Sequence, residues 1–433
     1  MNKYVKYKDS GIEWIGKIPE EWNIKKIKRL SVVKRGASPR PIEDPKYFDD
    51  NGEWAWVRIA DVSASERYLE KTTQKLSELG ASLSVKIATK KIFLSIAGTV
   101  GKPIITKIKC CIHDGFVYFP NLNINVEYLY YIFSTDLPYK GLGKWGTQLN
   151  LNTETVGGIS IPIPKNKEID EIVLYLDQQT AEIDELIAKK ERLLELYEEE
   201  KTAIIDQAVT KGINPDVPMK DSGVEWLGEI PEHWEVKRLA TFGSFSKGKG
   251  IPRAELKNDG FPAILYGDIY TKYNIKADII KNFINEEITK TSVAIKTGDL
   301  LFTGSGETLE DIGKCITYLG DETVYVGGDV IILKQEKYNS LFLSYALSSN
   351  ASVYQKAIMA KGQMIIHIYA ANLREIVLPI PQKEEQAVIV EFVEEEISKI
   401  NFKAEKTKKL IELLKEYKTA LISEVVTGKI KVV

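Results

Sequence analysis

Apolar residues recur at steps of three and four over two long stretches of the chain. In the first, Ile172, Leu176, Ile183, Leu186, Ile187, Leu193, Leu194, Tyr197, Ile204 and Ala208 fall on one helical stripe. Charged residues fill the positions between them, and neither Pro nor Gly interrupts Glu168 to Lys211. The second stretch repeats the pattern with Ile389, Phe392, Val393, Ile397, Ile400, Leu410, Ile411, Leu414, Leu421 and Val425. Each predicts a helix of roughly 40 residues, about 60 Å long at the usual rise per residue, which suits a coiled coil. Neither helix can hide its stripe alone, so mutual packing is expected, and across a pseudo-twofold axis it makes the pair antiparallel. The expected packing positions are Ile183, Ile187, Leu194, Tyr197 and Ile204 on one helix and Ile400, Leu410, Leu414 and Leu421 on the other. If each helix merely closed its own globular half, much of its length would have nothing to cover it.

The remaining segments read differently. Strand-like runs such as Glu53–Asp61, Lys91–Gly98, Cys110–Phe119, Phe261–Tyr270, Gly298–Gly306 and Thr323–Lys334 alternate with Gly-rich turns and short helical patterns at Val126–Ser134 and Leu341–Ser349. They predict mixed α/β globules. Ile-Pro-Ile-Pro at Ile161–Pro164 and Leu-Pro-Ile-Pro at Leu378–Pro381 mark the exits, because proline removes a ladder donor and disfavours helix before it. Lys211–Met219 is the one obvious linker between halves.

These patterns belong to a chain written twice. KDSGIEWIGKIPEEWNIKKI from Lys8 to Ile27 returns as KDSGVEWLGEIPEHWEVKRL from Lys220 to Leu239, identical at twelve of twenty positions with an offset of 212. The exits and helices match at an offset of 217, as Ile161–Asp177 does with Leu378–Glu394. The interiors, about 28–160 and 240–377, share little beyond scattered glycines and apolar positions. Two frames of common design therefore hold two different contents. Tryptophans 14, 22, 226 and 234 recur in both openings, so they are expected to pack the start of each domain against the helices rather than to stack on bases.

At 433 residues the chain has room for about three compact units, each with its own core. With 44% hydrophobic and 28% charged residues, its composition is that of a soluble globular protein. No run approaches about 18 uninterrupted apolar residues, and the polar start lacks the apolar centre of a signal peptide, so a cytoplasmic protein without membrane contact is expected. Cys110, Cys111 and Cys315 make an odd count, which points to buried thiols instead of disulfides.

The net charge of −2 conceals a segmented distribution. Residues 1–164 carry 24 basic against 17 acidic side chains, and residues 165–213 carry 7 against 13. Residues 214–381 carry 18 against 21, and the remainder is balanced at 10 each. The first stretch could meet a polyanion through bulk charge, whereas the third would need a local basic face.

Catalytic patterns are scarce. No GxxxxGK[ST] phosphate loop is present, and His113, His233 and His367 sit in unrelated contexts, so no metal is expected in this chain. Neither a Gly-rich cofactor turn nor the aromatic-capped Pro-Pro motif of a base-flipping methyltransferase is written here. Asp216 with Glu235-Val236-Lys237 has the carboxylate-and-lysine spacing of some metal-dependent nucleases, but the first half has Asn23-Ile24-Lys25 at the parallel position.

The doubled DSG-x-EW-x-G-x-IP-x-x-W opening, the GTQLNLNTETVGGISIPIP exit at Gly146–Pro164 and the repeated long helices resemble the specificity (S) subunit of Type I restriction-modification systems. The likeness covers essentially the whole chain, although the second exit, Lys361–Pro381, follows the pattern more loosely. It implies a mixed α/β fold with two target-recognition domains, residues 1–164 and 213–381. Two long helices, residues 165–212 and 382–433, would separate them as an antiparallel coiled coil. Each domain would read one half of an asymmetric bipartite site in double-stranded DNA. The helices would dock modification subunits carrying S-adenosylmethionine, restriction subunits would bring ATP and Mg, and this chain would itself catalyse nothing and hold no cofactor. A duplicated protein–protein adaptor, or a nuclease using Asp216 and Glu235, are the competing readings.

Base and phosphate contacts need Arg, Lys, Asn or Gln within reach of the duplex. In the first domain the candidates are Lys34, Arg35 and Arg40 around Gly36, then Arg58, Lys102, Trp145, Thr147, Gln148 and Asn150. In the second they are Lys247, Lys249, Arg253, Lys272, Lys314, Lys361 and Gln363. The bland alternative for each is a solvated surface residue or a structural one.

Overall fold

The computed structural model describes residues 3–142, 151–362 and 365–432. The chain divides into two compact units, residues 1–191 with 409–433, and residues 192–408. Each unit holds one α/β domain together with a segment of both long helices.

The first domain contains strands β1 (Lys34–Arg35), β2 (Trp54–Val57), β3 (Tyr68–Leu69), β4 (Gln74–Leu76), β5 (Val85–Ile87), β6 (Ile92–Ser95), β7 (Pro103–Thr106), β8 (Cys110–Ile112) and β9 (Phe116–Tyr118). They form a five-stranded sheet, β1-β9-β6-β7-β3, and a four-stranded sheet, β4-β2-β8-β5. The second domain contains β10 (Ser244–Lys247), β11 (Phe261–Ile264), β12 (Lys276–Ala277), β13 (Asn282–Ile284), β14 (Val293–Ile295), β15 (Leu300–Thr303), β16 (Cys315–Tyr318), β17 (Val324–Val326) and β18 (Val330–Lys334). Its sheets run β10-β18-β15-β16-β12 and β13-β11-β17-β14. Strand for strand the order is the same, down to the parallel pairs β2 with β8, β11 with β17, β3 with β7 and β12 with β16. The unlike contents foreseen from sequence thus share one topology. A core asks chiefly for apolar side chains of fitting volume, so dissimilar sequences can meet the same demand. In the first domain Val57, Phe93, Ile104, Cys110, Ile112 and Phe116 join both sheets in one cluster. Ile264, Leu301, Ile316, Tyr318, Val324 and Val326 do so in the second.

Each opening closes on its exit. Asn23–Lys26 pairs antiparallel with Ser160–Ile163, and Glu235–Arg238 pairs with Val377–Ile380. Pro162 and Pro379 are tolerated because these are two-stranded ladders with an open flank.

The long helices span Asn166–Thr210 and Lys383–Val426. Their buried faces follow steps of four and three, as in Ile400, Ala404, Thr407, Ile411, Leu414 and Leu421 on the second helix, the seam of a coiled coil. Ile183, Ile187, Ile400 and Leu421 are buried, and Leu194, Tyr197, Ile204 and Leu414 are half-buried. Leu410 is exposed, because it lies one residue to the side of Ile411, the true seam position. Antiparallel packing is evident in the first unit from Lys418 Nζ on Asp184 at 2.6 Å and Lys415 on Glu191 at 3.7 Å. In the second unit Ala208 and Val209 share a core with Ile389 and Val393.

Candidate nucleic-acid interface

The frame that presents each domain is built around one tryptophan. Trp22 is buried and donates its indole N–H to Glu168 Oε2 at 3.1 Å, at the start of the first helix. Trp234 does the same to Glu385 Oε1 at 3.1 Å, at the start of the second. The far side of each indole meets a helix end. A Cβ on Gly428 would lie 3.1 Å from the Trp22 ring, and one on Gly212 would lie 3.4 Å from that of Trp234. Trp14 is only half-buried and Trp226 is 39% exposed, so the packing expected of all four tryptophans falls to two. The other pair sits on the glycine turns of the opening, where the chain presents one face to solvent.

The cations sort into two groups. Lys34 and Arg35 form edge strand β1, which runs into Gly36. There the chain passes so close to another strand that a Cβ would sit 2.1 Å from the His113 carbonyl oxygen. Gly248 repeats this after β10, with the Gly327 carbonyl at 2.0 Å. Arg35 donates through Nε to the Asp114 carbonyl, and Arg40 pairs with the Asp114 carboxylate at 3.3 Å. Lys247 pairs with Asp329 at 3.1 Å.

Deeper engagement holds four more candidates. Arg58 precedes a short helix, Ile59–Ala64, where its backbone N–H donates to buried Asp61 at 2.9 Å and its guanidinium bonds Thr73. Lys272 does comparable work on buried Asp268, at 2.9 Å, and donates to Asn282 at 2.8 Å. Lys102 and Lys314 stand immediately before β7 and β16 and donate to the carbonyls of Ser63 at 3.2 Å and Tyr273 at 3.0 Å. Burial holds both ammonium groups below the ordinary lysine range. All four side chains are thus engaged within their own domain. Lys34, Lys249, Arg253 and Lys361 are exposed, with no side-chain partner among the described residues. Trp145, Thr147, Gln148, Asn150 and Gln363 lie outside the described residues.

The second domain adds a cleft that sequence reasoning passed over. It measures about 400 Å³ and is lined by Lys247, Ser305, Asp329, His367 and Tyr369 among others. His367 Nδ1 lies 3.0 Å from Ser305 Oγ, and its ring stacks with that of Tyr369, which is 61% exposed. Lys361 pairs with the His367 backbone, and two cation-capable side chains, Lys247 and His367, line the cleft beside Asp329 despite the acidic balance of the domain. The clue was present: at the offset of 217 His367 stands opposite Asn150, a candidate in the first domain.

No group of three or more His, Cys, Asp or Glu suited to a metal occurs among the described residues. Asp216 is exposed in the linker, and Glu235 pairs at 2.8 Å with Lys237 on an exposed strand. Cys110, Cys111 and Cys315 are buried free thiols. Burial pushes Cys111 up to about 11 and Cys315 up to about 12. No described helix is long and apolar enough to cross a membrane.

Two α/β domains of one topology, each clamped by its opening and exit to long helices, define a duplicated recognition scaffold. The family model for the Type I restriction modification DNA specificity domain matches residues 19–196 and again 231–413, and the chain belongs to that family. It is 28% identical over 315 residues, 69% of either chain, to the Type I restriction enzyme MjaIX specificity subunit of Methanocaldococcus jannaschii. The MjaVIII specificity subunit of the same organism is 23% identical, over 96% of this chain and 94% of its own. Among solved structures, a chain from work on complex assembly and conformational transition of the type I R-M system superposes with a TM-score of 0.70 at 13% identity, covering 95% of this chain and 99% of that one. The HsdS subunit from Thermoanaerobacter tengcongensis gives 0.53 at 14% identity, over 95% and 98%.

Proposed function

We propose that this chain is the DNA sequence-specificity subunit of a Type I restriction-modification complex, each α/β domain reading one half of an asymmetric bipartite site in double-stranded DNA. The observation that carries this reading is one topology repeated with unlike residues at equivalent places, as with Lys34 against Ser246 on the two edge strands that run into Gly36 and Gly248. A shared frame supports docking to shared partners, and unlike contents support unlike half-sites.

Exposed Lys34, Lys249, Arg253 and Lys361 are assigned to phosphates, together with Arg40 and Lys247 once they exchange their carboxylate partners, and Arg35 once it exchanges the Asp114 carbonyl, for the DNA backbone. Asn150, Gln148, Thr147, Trp145, Gln363 and His367 are assigned to base edges or their immediate support. Methyl transfer and cleavage belong to partners. Modification subunits docked on the helices would bring S-adenosylmethionine, and restriction subunits would bring ATP and Mg.

The test is to co-express the chain with the modification subunit encoded beside it and to map adenine methylation by single-molecule sequencing. A bipartite motif with two unlike halves is expected. A stable, cofactor-loaded complex that leaves no motif would overturn the assignment and favour a protein–protein adaptor.

A further inference from the structure

The two domains differ in most residues, yet each is tied to its own long helix by the same kind of contact at matched positions. Asp177 and Glu394 stand at the repeat offset of 217 on the first and second helices. Tyr131 and Tyr345 each lie six residues beyond the asparagine that caps their short helix, Asn125 or Asn339. The Tyr131 hydroxyl donates to Asp177 Oδ1 at 2.5 Å, and the Tyr345 hydroxyl donates to Glu394 Oε1.

A cation completes each contact from the edge of the five-stranded sheet. Arg67, immediately before β3, reaches Asp177 Oδ1 at 2.6 Å and also donates to Glu127. Lys276, the first residue of β12, pairs with Glu394 Oε2. These cations are not at equivalent positions. Lys276 pairs in register with Thr317, as Tyr68 does with Ile105, so Arg67 stands one residue earlier. Two different side chains therefore reach one geometry by two routes, as expected if the contact itself has a purpose.

Stability is a poor account of that purpose. Asp177 is 43% exposed against 17% for Arg67, and Lys276 and Glu394 are 39% and 36% exposed; ion pairs so open to solvent on at least one side add modest net stability. Their geometry is directional all the same. In the first unit the contact borders a cleft of about 1200 Å³ between the domain and the helices, lined by Arg67, Asp184, Lys415 and Lys418 among others. Apolar packing also joins domain and helix, as where Tyr345 shares a core with Ile389 and Val393, but it is non-directional, and the polar contact adds a fixed direction to it.

We propose that Asp177 and Glu394 are positioning residues: through Tyr131 with Arg67, and through Tyr345 with Lys276, they fix the angle of each domain on its helix and so the spacing between half-sites that the subunit accepts. This rests on the specificity reading above. The test uses the full chain co-expressed with its modification subunit, carrying Tyr131→Phe and Tyr345→Phe together, and separately Asp177→Asn with Glu394→Gln. Methylation is scored on targets whose spacer is shortened or lengthened by one base pair. Both variants should keep the wild-type half-site sequences and raise methylation of the altered spacers at least tenfold relative to the native one. An unchanged spacer preference in soluble, assembled variants overturns the proposal, whether or not the melting temperature falls. Should the wild type show no bipartite motif, it is the specificity reading that fails, because the spacer comparison presupposes one.

Discussion

Trp22 and Glu168, 146 positions apart, meet at 3.1 Å and fasten the first opening motif to the start of the first long helix. Tyr4 adds its hydroxyl to the same carboxylate at 2.5 Å and packs edge-on to the indole, 5.8 Å between ring centres. Trp22→Ala should therefore cost roughly 3–5 kcal/mol, the usual range for emptying a buried aromatic site. Trp226→Ala, at a position 39% exposed, should stay within about 1 kcal/mol. Thermal melts of the two variants check this. Unchanged stability of Trp22→Ala with selective loss of DNA binding would reverse the assignment.

Gly428 and Gly212 end the two helices in the left-handed region, at φ of +71° and +77°. A side chain costs about 1–2 kcal/mol in that region at either site. The surroundings then separate them. A Cβ on Gly428 would press on Pro19 Cδ at 2.4 Å, whereas at Gly212 the nearest atom, on Trp234, is at an ordinary 3.4 Å. Gly428→Ala should thus lose about 1–3 kcal/mol more than Gly212→Ala by denaturant titration. Equal losses would mean that the chain end does not press on Pro19.

What was legible in the sequence is what repeats or what has a long period. The helices announce themselves through forty-odd residues of heptad spacing, and the doubled opening marks its four tryptophans as structural, without separating buried Trp22 and Trp234 from Trp14 and Trp226, which reach solvent. The common topology of the interiors was hidden because it is written in strands of two to five residues, too short for periodicity to separate them from loops. Partners of the cations were equally hidden. Nothing local says that Lys102 will donate to the Ser63 carbonyl, 39 positions away, or that Lys314 will find Tyr273. His367 was missed for the opposite reason, since the clue lay in aligning the two exits position by position.

Lys356 is 2% exposed and pairs with no carboxylate among the described residues; its ammonium donates to the carbonyls of Leu347 at 2.9 Å and Gly313 at 3.1 Å. Burial lowers its pKa to about 8, from 10.5 in the unfolded chain, with buried Cys315 nearby opposing the shift weakly. Below about pH 8 the side chain is charged in both states and the burial penalty, about 3 kcal/mol, is fully present. The penalty fades as pH rises and is gone above the unfolded value, where both states are neutral. Wild type should therefore gain about 3 kcal/mol on Lys356→Met between pH 7.5 and 10.5. Taking the difference removes the opposing titrations of buried tyrosines and thiols. A flat difference in denaturant titrations would show that Lys356 is neutral, or solvated, throughout.

The division of cations into engaged and exposed groups has a signature in salt. Replacing Lys34, Lys249, Arg253 or Lys361 with Ala, in the chain assembled with modification subunits, should weaken binding on all sequences. Removing one cation from a phosphate should reduce the slope of log affinity against log salt by about 0.9. Lys102→Met and Lys314→Met should leave that slope alone and lower the melting temperature instead, because their ammonium groups tie a strand to a neighbouring carbonyl. His367→Ala belongs to a third class. It should leave salt dependence and the first half-site intact while relaxing one or two positions of the second half-site, with discrimination falling by about 1–3 kcal/mol per position. Methylation maps and binding titrations on the same variants separate the classes. Loss of discrimination in the first half-site on changing His367 would break the correspondence between domain and half-site on which the whole reading depends.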